Sequence, residues 1–174
     1  LYLFSKYYAA WQLHRWKIFL DSPMAIRASE IYWDNEKLYD QEARLMRDGL
    51  EGMRPLPNLT LSRTAEQSQQ INRMQSGAII IAGSGMCEGG RIVHHLKHNV
   101  WRRECEVIIV GYQAAGTRGR QLVDGSTHVR IHHETIRVQA RIHTIGGLSA
   151  HGDQNDLARW YGSFQPRPPV YLVH

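Results

Sequence analysis

The chain has 174 residues, 43% hydrophobic and 21% charged, which fits an ordinary folded domain with its own core and excludes a disordered tail or a low-complexity fibre. No run of about 18 apolar residues occurs, which argues against a membrane-spanning helix. The net charge of +5 rests on 17 Arg against 4 Lys, a bias that suits an anionic partner because a guanidinium meets two phosphate oxygens at once, although arginine-rich codon usage explains it equally well.

Residues 1–13 are apolar and aromatic without Gly or Pro and predict the end of a helix, and residues 16–20 predict a short strand. Asp21-Ser22-Pro23 stops that strand. Ser22 is a candidate N-cap and Pro23 a first helical residue for a helix to about Tyr32, followed by a second helical stretch over about 36–46. Residues 49–58, rich in Gly and Pro, predict a loop; 59–61 a strand; 64–74 a polar helix capped by Thr64. Residues 78–82 form the clearest strand pattern, and a glycine-rich turn over 83–90 leads into a helix from Arg91 to about Trp101 and then a strand over 106–110. Strands alternating with helices, their apolar runs bare of polar interruption, predict an α/β fold with a mostly parallel sheet flanked by helices.

From His128 the character changes. Residues 129–131 and 136–142 alternate in period two around a His-Glu turn, predicting an antiparallel hairpin and a boundary within 128–140. A Gly-rich loop, a helix over about 153–162, a Pro-rich linker and a last strand over 170–173, ending at His174, complete the chain. Cys87 and Cys105 are too few and too far apart for a disulfide framework and read as free thiols of a reducing, cytoplasmic compartment. The opening at Leu1, with no initiator Met and no signal-peptide pattern, reads as an internal piece of a longer protein.

Two glycine-rich turns follow buried strands. Residues 83–90, with Gly83, Ser84 and Gly85, bring unhindered backbone N–H groups and a helix start together, with Arg91 in the first turn; tight packing alone explains such a turn as well. Residues 111–120 offer small residues, Thr117 as a possible cap, and the guanidinium groups of Arg118 and Arg120. In an open parallel sheet the carboxyl ends of strands form the binding crevice, so Ser22, Ser84-Gly85 and Gly116-Thr117 are expected on one rim.

Ten histidines invite a metal reading. His94 and His98 share a helix face, but no Glu follows His94 as in a His-Glu-x-x-His site, and with His95 and Lys97 they read as a solvated or RNA-facing surface. His132-His133 reads as an exposed turn. His151 and His174 each follow a strand-like segment in a short loop, where an imidazole can reach a cleft, yet a zinc site needs three or four ligands.

Five ordered segments, around Asp21-Ser22-Pro23, Gly83-Ser84-Gly85-Met86, Gly111-Tyr112-Gln113, Ser149-Ala150-His151-Gly152-Asp153 and Leu172-Val173-His174, resemble the β-CASP branch of the metallo-β-lactamase superfamily. The resemblance implies a β-CASP domain over 1–135 and, over 136–174, the return of the chain into a metallo-β-lactamase-like αββα domain. It implies phosphodiester hydrolysis of single-stranded RNA in RNA processing or decay, with two zinc ions in the full-length parent. It also implies His151 as the residue assisting proton transfer, His174 as a zinc ligand, and Ser22, Gly83, Ser84, Gly85, Arg91, Thr117 and Arg120 as phosphate-binding positions. The His-x-His-x-Asp-His signature that supplies most metal ligands is absent from these 174 residues, so the piece by itself is expected to be inactive, with zinc absent or incompletely held. A homodimer fits the family. A phosphate- or nucleotide-binding α/β module and a catalytically silent β-CASP scaffold subunit are the competing readings.

Overall fold

A computed structural model describes residues 1–44, 56–148 and 152–171. A short helix α1 (Tyr2–Lys6) and a 3-10 turn (Leu13–Arg15) precede strand β1 (Lys17–Leu20). Helix α2 (Pro23–Asp34) opens as the sequence predicts: Ser22 Oγ accepts from the N–H of Ala25 at 3.3 Å and Pro23 occupies the first turn, where its missing N–H costs nothing. The helical stretch expected over 36–46 is broken. A 3-10 turn (Glu36–Leu38) ends at the extended Tyr39, and Asp40 Oδ1 accepts from the N–H of Ala43 at 2.8 Å, starting a new helical turn over 41–44; the rest of that expectation and most of the 49–58 loop lie outside the described residues.

Strand β2 (Leu59–Leu61), helix α3 (Ala65–Ile71) and strand β3 (Ala78–Ile81) follow, with α3 started by a capping box between Thr64 and Gln67. The three strands form a parallel sheet in the order β2-β1-β3, Ile18 lying opposite Leu59 and Ile79. The central position of β1 explains why Ile18 and Leu20 are both buried. Ile18, Leu13 and Leu56 form one apolar cluster, joined by Phe4, Tyr8, Ile79 and Ile81.

Helix α4 (Arg91–Asn99), strand β4 (Glu106–Val110), helix α5 (Arg118–Val123) and strands β5 (His128–Ile131), β6 (Glu134–Arg137) and β7 (Arg141–Ile145) build a second cluster around Val93, Leu96, Val100, Ile109, Leu122, Val129 and Ile131. The strands β5 and β6 pair as the expected antiparallel hairpin, but the second arm ends at Arg137. The carbonyl of Val100, past the end of α4, accepts from the N–H groups of both Gln139 and Ala140 at 2.8 and 2.9 Å, and Cys105 O accepts from Arg141 N at 3.1 Å. Capture by this helix-end carbonyl redirects the chain, and β7 then pairs in parallel with β4, Glu106 opposite Arg141. One run of period-two residues therefore serves two strands in different pairings.

Helix α6 (Gln154–Gly162) begins with a capping box between Asp153 and Asp156. Val170 and Tyr171, expected in a last strand, are exposed and pair with no strand among the described residues, while residues 172–174 and residues 149–151 lie outside the described residues. No described helix is long and apolar enough to cross a membrane. The substitution Ile18→Ala is expected to cost about 2–5 kcal/mol, because the cavity opens at the centre of the sheet where no side chain can collapse into it, and a lowered urea midpoint with an unchanged slope would register it.

Candidate functional site

Asp21 follows β1 directly and is completely buried. A lone buried carboxylate is costly, so its oxygens need donors, and three arrive from two helices. Ser68 of α3 donates its hydroxyl to Oδ2 at 2.6 Å; Arg91 and His95 of α4 reach Oδ1 and Oδ2, each also at 2.6 Å. Arg91 and His95 stand four residues apart and so share one face of α4, while Val93, Leu96 and Val100 turn toward the second core. The expectation that His95 belongs to a solvated surface is thus corrected: it is buried, with Nε2 on Asp21 and Nδ1 3.2 Å from the Asn72 amide. His94 and His98 are exposed as expected.

Burial pushes the Asp21 carboxyl up, but the hydrogen bonds from Ser68, His95 and Arg91 outweigh it and hold the group below its ordinary value. For His95 burial wins over the attraction of Asp21, and the exposed His94 and His98 push the same way, so its pKa lies below the ordinary one.

Arg91 was expected to meet phosphate. Its Nη1 instead donates to Asp21 and to the carbonyl of Ser62 at 2.6 Å, and its Nη2 to the carbonyl of Arg63 at 3.0 Å, so the guanidinium holds the turn after β2 against the end of β1. A planar fork beside a buried carboxylate satisfies that charge before any ligand arrives.

The glycine loop after β3 is closed on itself: Ser84 N–H donates to Gly89 O at 3.3 Å, and Gly89 N–H to Ser84 Oγ at 3.4 Å. Gly90 has φ +69°, and a Cβ there would stand 2.7 Å from Gly83 O, so only glycine fits. The loop also meets its two neighbours. A Cβ on Gly83 would lie 3.7 Å from Ser22 Oγ, and Gln113 donates Nε2–H to Gly85 O at 2.9 Å. The N–H of Gly119 donates to Met86 O at 3.1 Å, and Arg118 bonds the carbonyl of Cys87 and, through its own N–H, the carboxylate of Glu88. Any side chain at Gly119 would collide with Gln113 Oε1, 1.7 Å from a Cβ.

The structure therefore brings Gly83 beside Ser22, and residues 85–88 beside Gln113, Arg118 and Gly119, at the carboxyl ends of β1, β3 and β4, although β4 pairs with β7 and not with the three-stranded sheet, so one continuous rim through Thr117 is not formed by direct contact. Thr117 caps α5, accepting from Arg120 N–H at 3.2 Å and donating to Ala114 O at 2.7 Å. Arg120 is exposed and pairs with Asp124 on its own helix at 2.9 Å. His151 and His174 lie outside the described residues. Among the described residues no three His, Cys, Asp or Glu side chains gather closely enough to hold a metal, so those residues do not by themselves fit a zinc ion. Both cysteines are free thiols whose pKa burial raises, which makes them packing residues first.

Sequence reading missed Ser68 altogether, and the internal hydrogen bonds of His95, Gln113 and Arg118. The available signal was a carboxylate placed directly after the apolar run Ile18-Phe19-Leu20, which demands donors, and an Arg-x-x-x-His pair spaced for one face of a helix.

The family model described as the Beta-Casp domain matches residues 1–122, and that described as the Zn-dependent metallo-hydrolase RNA specificity domain matches residues 135–174. The chain is 36% identical over 174 residues, 99% of its length, to Ribonuclease TTHA0252 of Thermus thermophilus, and spans 39% of that protein. It is 36% identical over 132 residues to Transcription termination factor FttA of Thermococcus kodakarensis, covering 71% of this chain and 20% of the relative, and 36% identical over 116 residues to FttA of Pyrococcus abyssi, covering 63% and 18%.

The unfolded chain protonates His95 below about pH 6.5 while the folded one resists, so stability is expected to fall as pH drops from that value, and to fall again below 3.8 where unfolded carboxyls protonate and Asp21 does not. Urea midpoints followed from about pH 8 to pH 5 should show the first decline in the native chain and a flatter profile in His95→Asn.

Proposed function

As the chain belongs to the β-CASP branch of the metallo-β-lactamase superfamily, we propose that it is the RNA-clamping part of a longer zinc-dependent hydrolase that cleaves phosphodiester bonds of single-stranded RNA. The observation that supports this reading is the contact between the loops after β3 and β4, Gln113 Nε2–H donating to Gly85 O at 2.9 Å and Gly119 N–H to Met86 O at 3.1 Å, at the carboxyl ends of parallel strands where α/β folds bind ligands. Hydroxyls and a guanidinium suit phosphates and carry no base preference, which fits a clamp on an extended strand, with Ser84, Thr117 and Arg120 exchanging their present partners Gly89, Ala114 and Asp124 for phosphate oxygens.

In this reading Arg91 is a positioning residue: it holds the turn after β2 to Asp21, and leaves Arg120 as the cation that meets RNA. Residues 1–135 form the β-CASP domain and 136–174 return toward the hydrolase domain. Apolar side chains left exposed on β4 and β7 (Ile108, Val110, Ile145) and on α6 (Leu157, Trp160) suit burial against the remainder of a longer protein. His151 is the proposed proton donor to the leaving oxygen and His174 a zinc ligand, both by resemblance. An imidazole suits either task because its neutral form offers a nitrogen lone pair and its protonated form a transferable proton near neutral pH. The two free thiols suit a cytoplasmic setting.

Arg120→Gln is expected to weaken binding of a single-stranded RNA and to reduce the slope of log affinity against log salt by about 0.7, read by fluorescence anisotropy across a salt series; an unchanged affinity and slope refutes the rim. In the full-length protein, His151→Ala should abolish turnover while leaving RNA affinity within about twofold, and retained turnover would remove His151 from the chemistry.

A further inference from the structure

A second cavity lies at the opposite ends of the same strands. Ala10, Trp11, Gln12, Arg15, Trp16 and Gly77 line a space of about 400 Å³ next to the amino ends of β1 and β3, where Lys17 N–H donates to Gly77 O at 2.8 Å. That volume is in the range of small-ligand sites. Trp11 and Trp16 are 47% and 42% exposed, unusual for the two largest apolar side chains of one short segment.

The Trp11 indole is held by other rings, and the backbone at Trp16 by a hydrogen bond. Tyr7 stacks on Trp11 with ring centroids 4.9 Å apart and planes 19° from parallel, and Phe4 meets it edge-on at 6.1 Å. Asn58 clamps the backbone by donating to Leu13 O at 2.7 Å and Trp16 O at 2.6 Å. Gln12 between them adopts the left-handed region at φ +50°, a conformation that costs free energy in a non-glycine residue, and its side chain accepts from Arg15 Nη1 at 3.0 Å. At Gly77, φ +70° calls for glycine, and a Cβ there would have no atom within 4 Å, so that wall of the cavity is bare.

The lining thus offers two aromatic rings, one guanidinium and one amide, with no carboxylate among the described residues. A cationic, aromatic, acid-free pocket complements a flat, electron-rich ring carried on an anionic backbone. We propose that this cavity is a nucleobase-stacking site for single-stranded RNA, separate from the phosphate rim, in which a base lies against Trp11 or Trp16 and Arg15 meets the adjoining phosphate. It rests on the RNA reading above and adds a second anchor at the far end of β1 and β3.

The test compares a fluorescein-labelled oligouridylate with an abasic strand of the same length, which keeps the phosphates and lacks the bases. Trp16→Ala should lower affinity for the base-bearing strand roughly tenfold and leave the abasic strand's affinity and salt slope unchanged, while Trp16→Phe, which keeps a π-face, should retain most of the binding. Equal loss for both strands, or no loss for either, overturns the stacking site, and Trp11→Ala provides the same test at the other ring. If Arg120→Gln weakens both strands but the Trp variants weaken neither, the cavity assignment fails and the rim stands. If only the Trp variants act, the rim fails and the cavity stands; absence of any RNA binding overturns both. A Pro-rich peptide that binds the native chain but not Trp16→Ala, with RNA affinity untouched, would assign the cavity to a protein partner and overturn the proposal.

Discussion

The carboxylate of Asp21 is the constraint on which the arrangement depends. A buried negative charge is tolerable only when its donors are already in place, and here they come from elements far apart in sequence: Ser68 on α3, Arg91 and His95 on α4. Two apolar clusters fill the interior, one under the three-stranded sheet and one under β4, β7 and the hairpin. Apolar packing has no directional preference that would set α4 against the end of β1. The three charge-assisted bonds do, because Arg91 and His95 can meet the two carboxylate oxygens in one helix orientation while Val93, Leu96 and Val100 remain in the second core.

That orientation determines where the glycine loop goes. Helix α4 starts at Arg91, so fixing Arg91 on Asp21 fixes residues 83–90 beside Ser22, and the loop in turn receives Gln113, Arg118 and the N–H of Gly119. The rim is built as a chain of contacts leading outward from a buried ion pair, and its exposed members are carried on bonded backbone. The clamp proposed above asks for such a frame, since a groove that must order itself on binding spends affinity on doing so.

Much of this was legible in the sequence. Strands β1 to β4, the Ser22, Thr64 and Thr117 caps and the α/β class follow from local pattern, because a cap or an apolar strand declares itself through near neighbours. The five motif segments also pointed to the family that the Beta-Casp and RNA specificity matches support. The hairpin's second arm was misread for a reason of range: residues 136–142 alternate throughout, and only the Val100 carbonyl, far away in sequence, decides that the pairing changes after Arg137. His95 was misread likewise, and the internal partners of Arg91 were not foreseen. A guanidinium beside a glycine loop and a histidine among polar residues look like ligand-facing groups until the buried acid that claims them is known.

The sequence by itself determined the element types, the caps, the apolar strands and the glycine positions, since each follows from backbone sterics or periodicity within a few residues. Only the tertiary structure decided which polar groups are buried with partners and which lie at the surface: Arg91 goes to the buried Asp21, Arg120 pairs with Asp124 in the open, and Trp11 and Trp16 are partly exposed beside Gly77. The physical reason is that the partner of a charge or a ring is chosen by distance in space, and folding sets that distance between residues tens of positions apart.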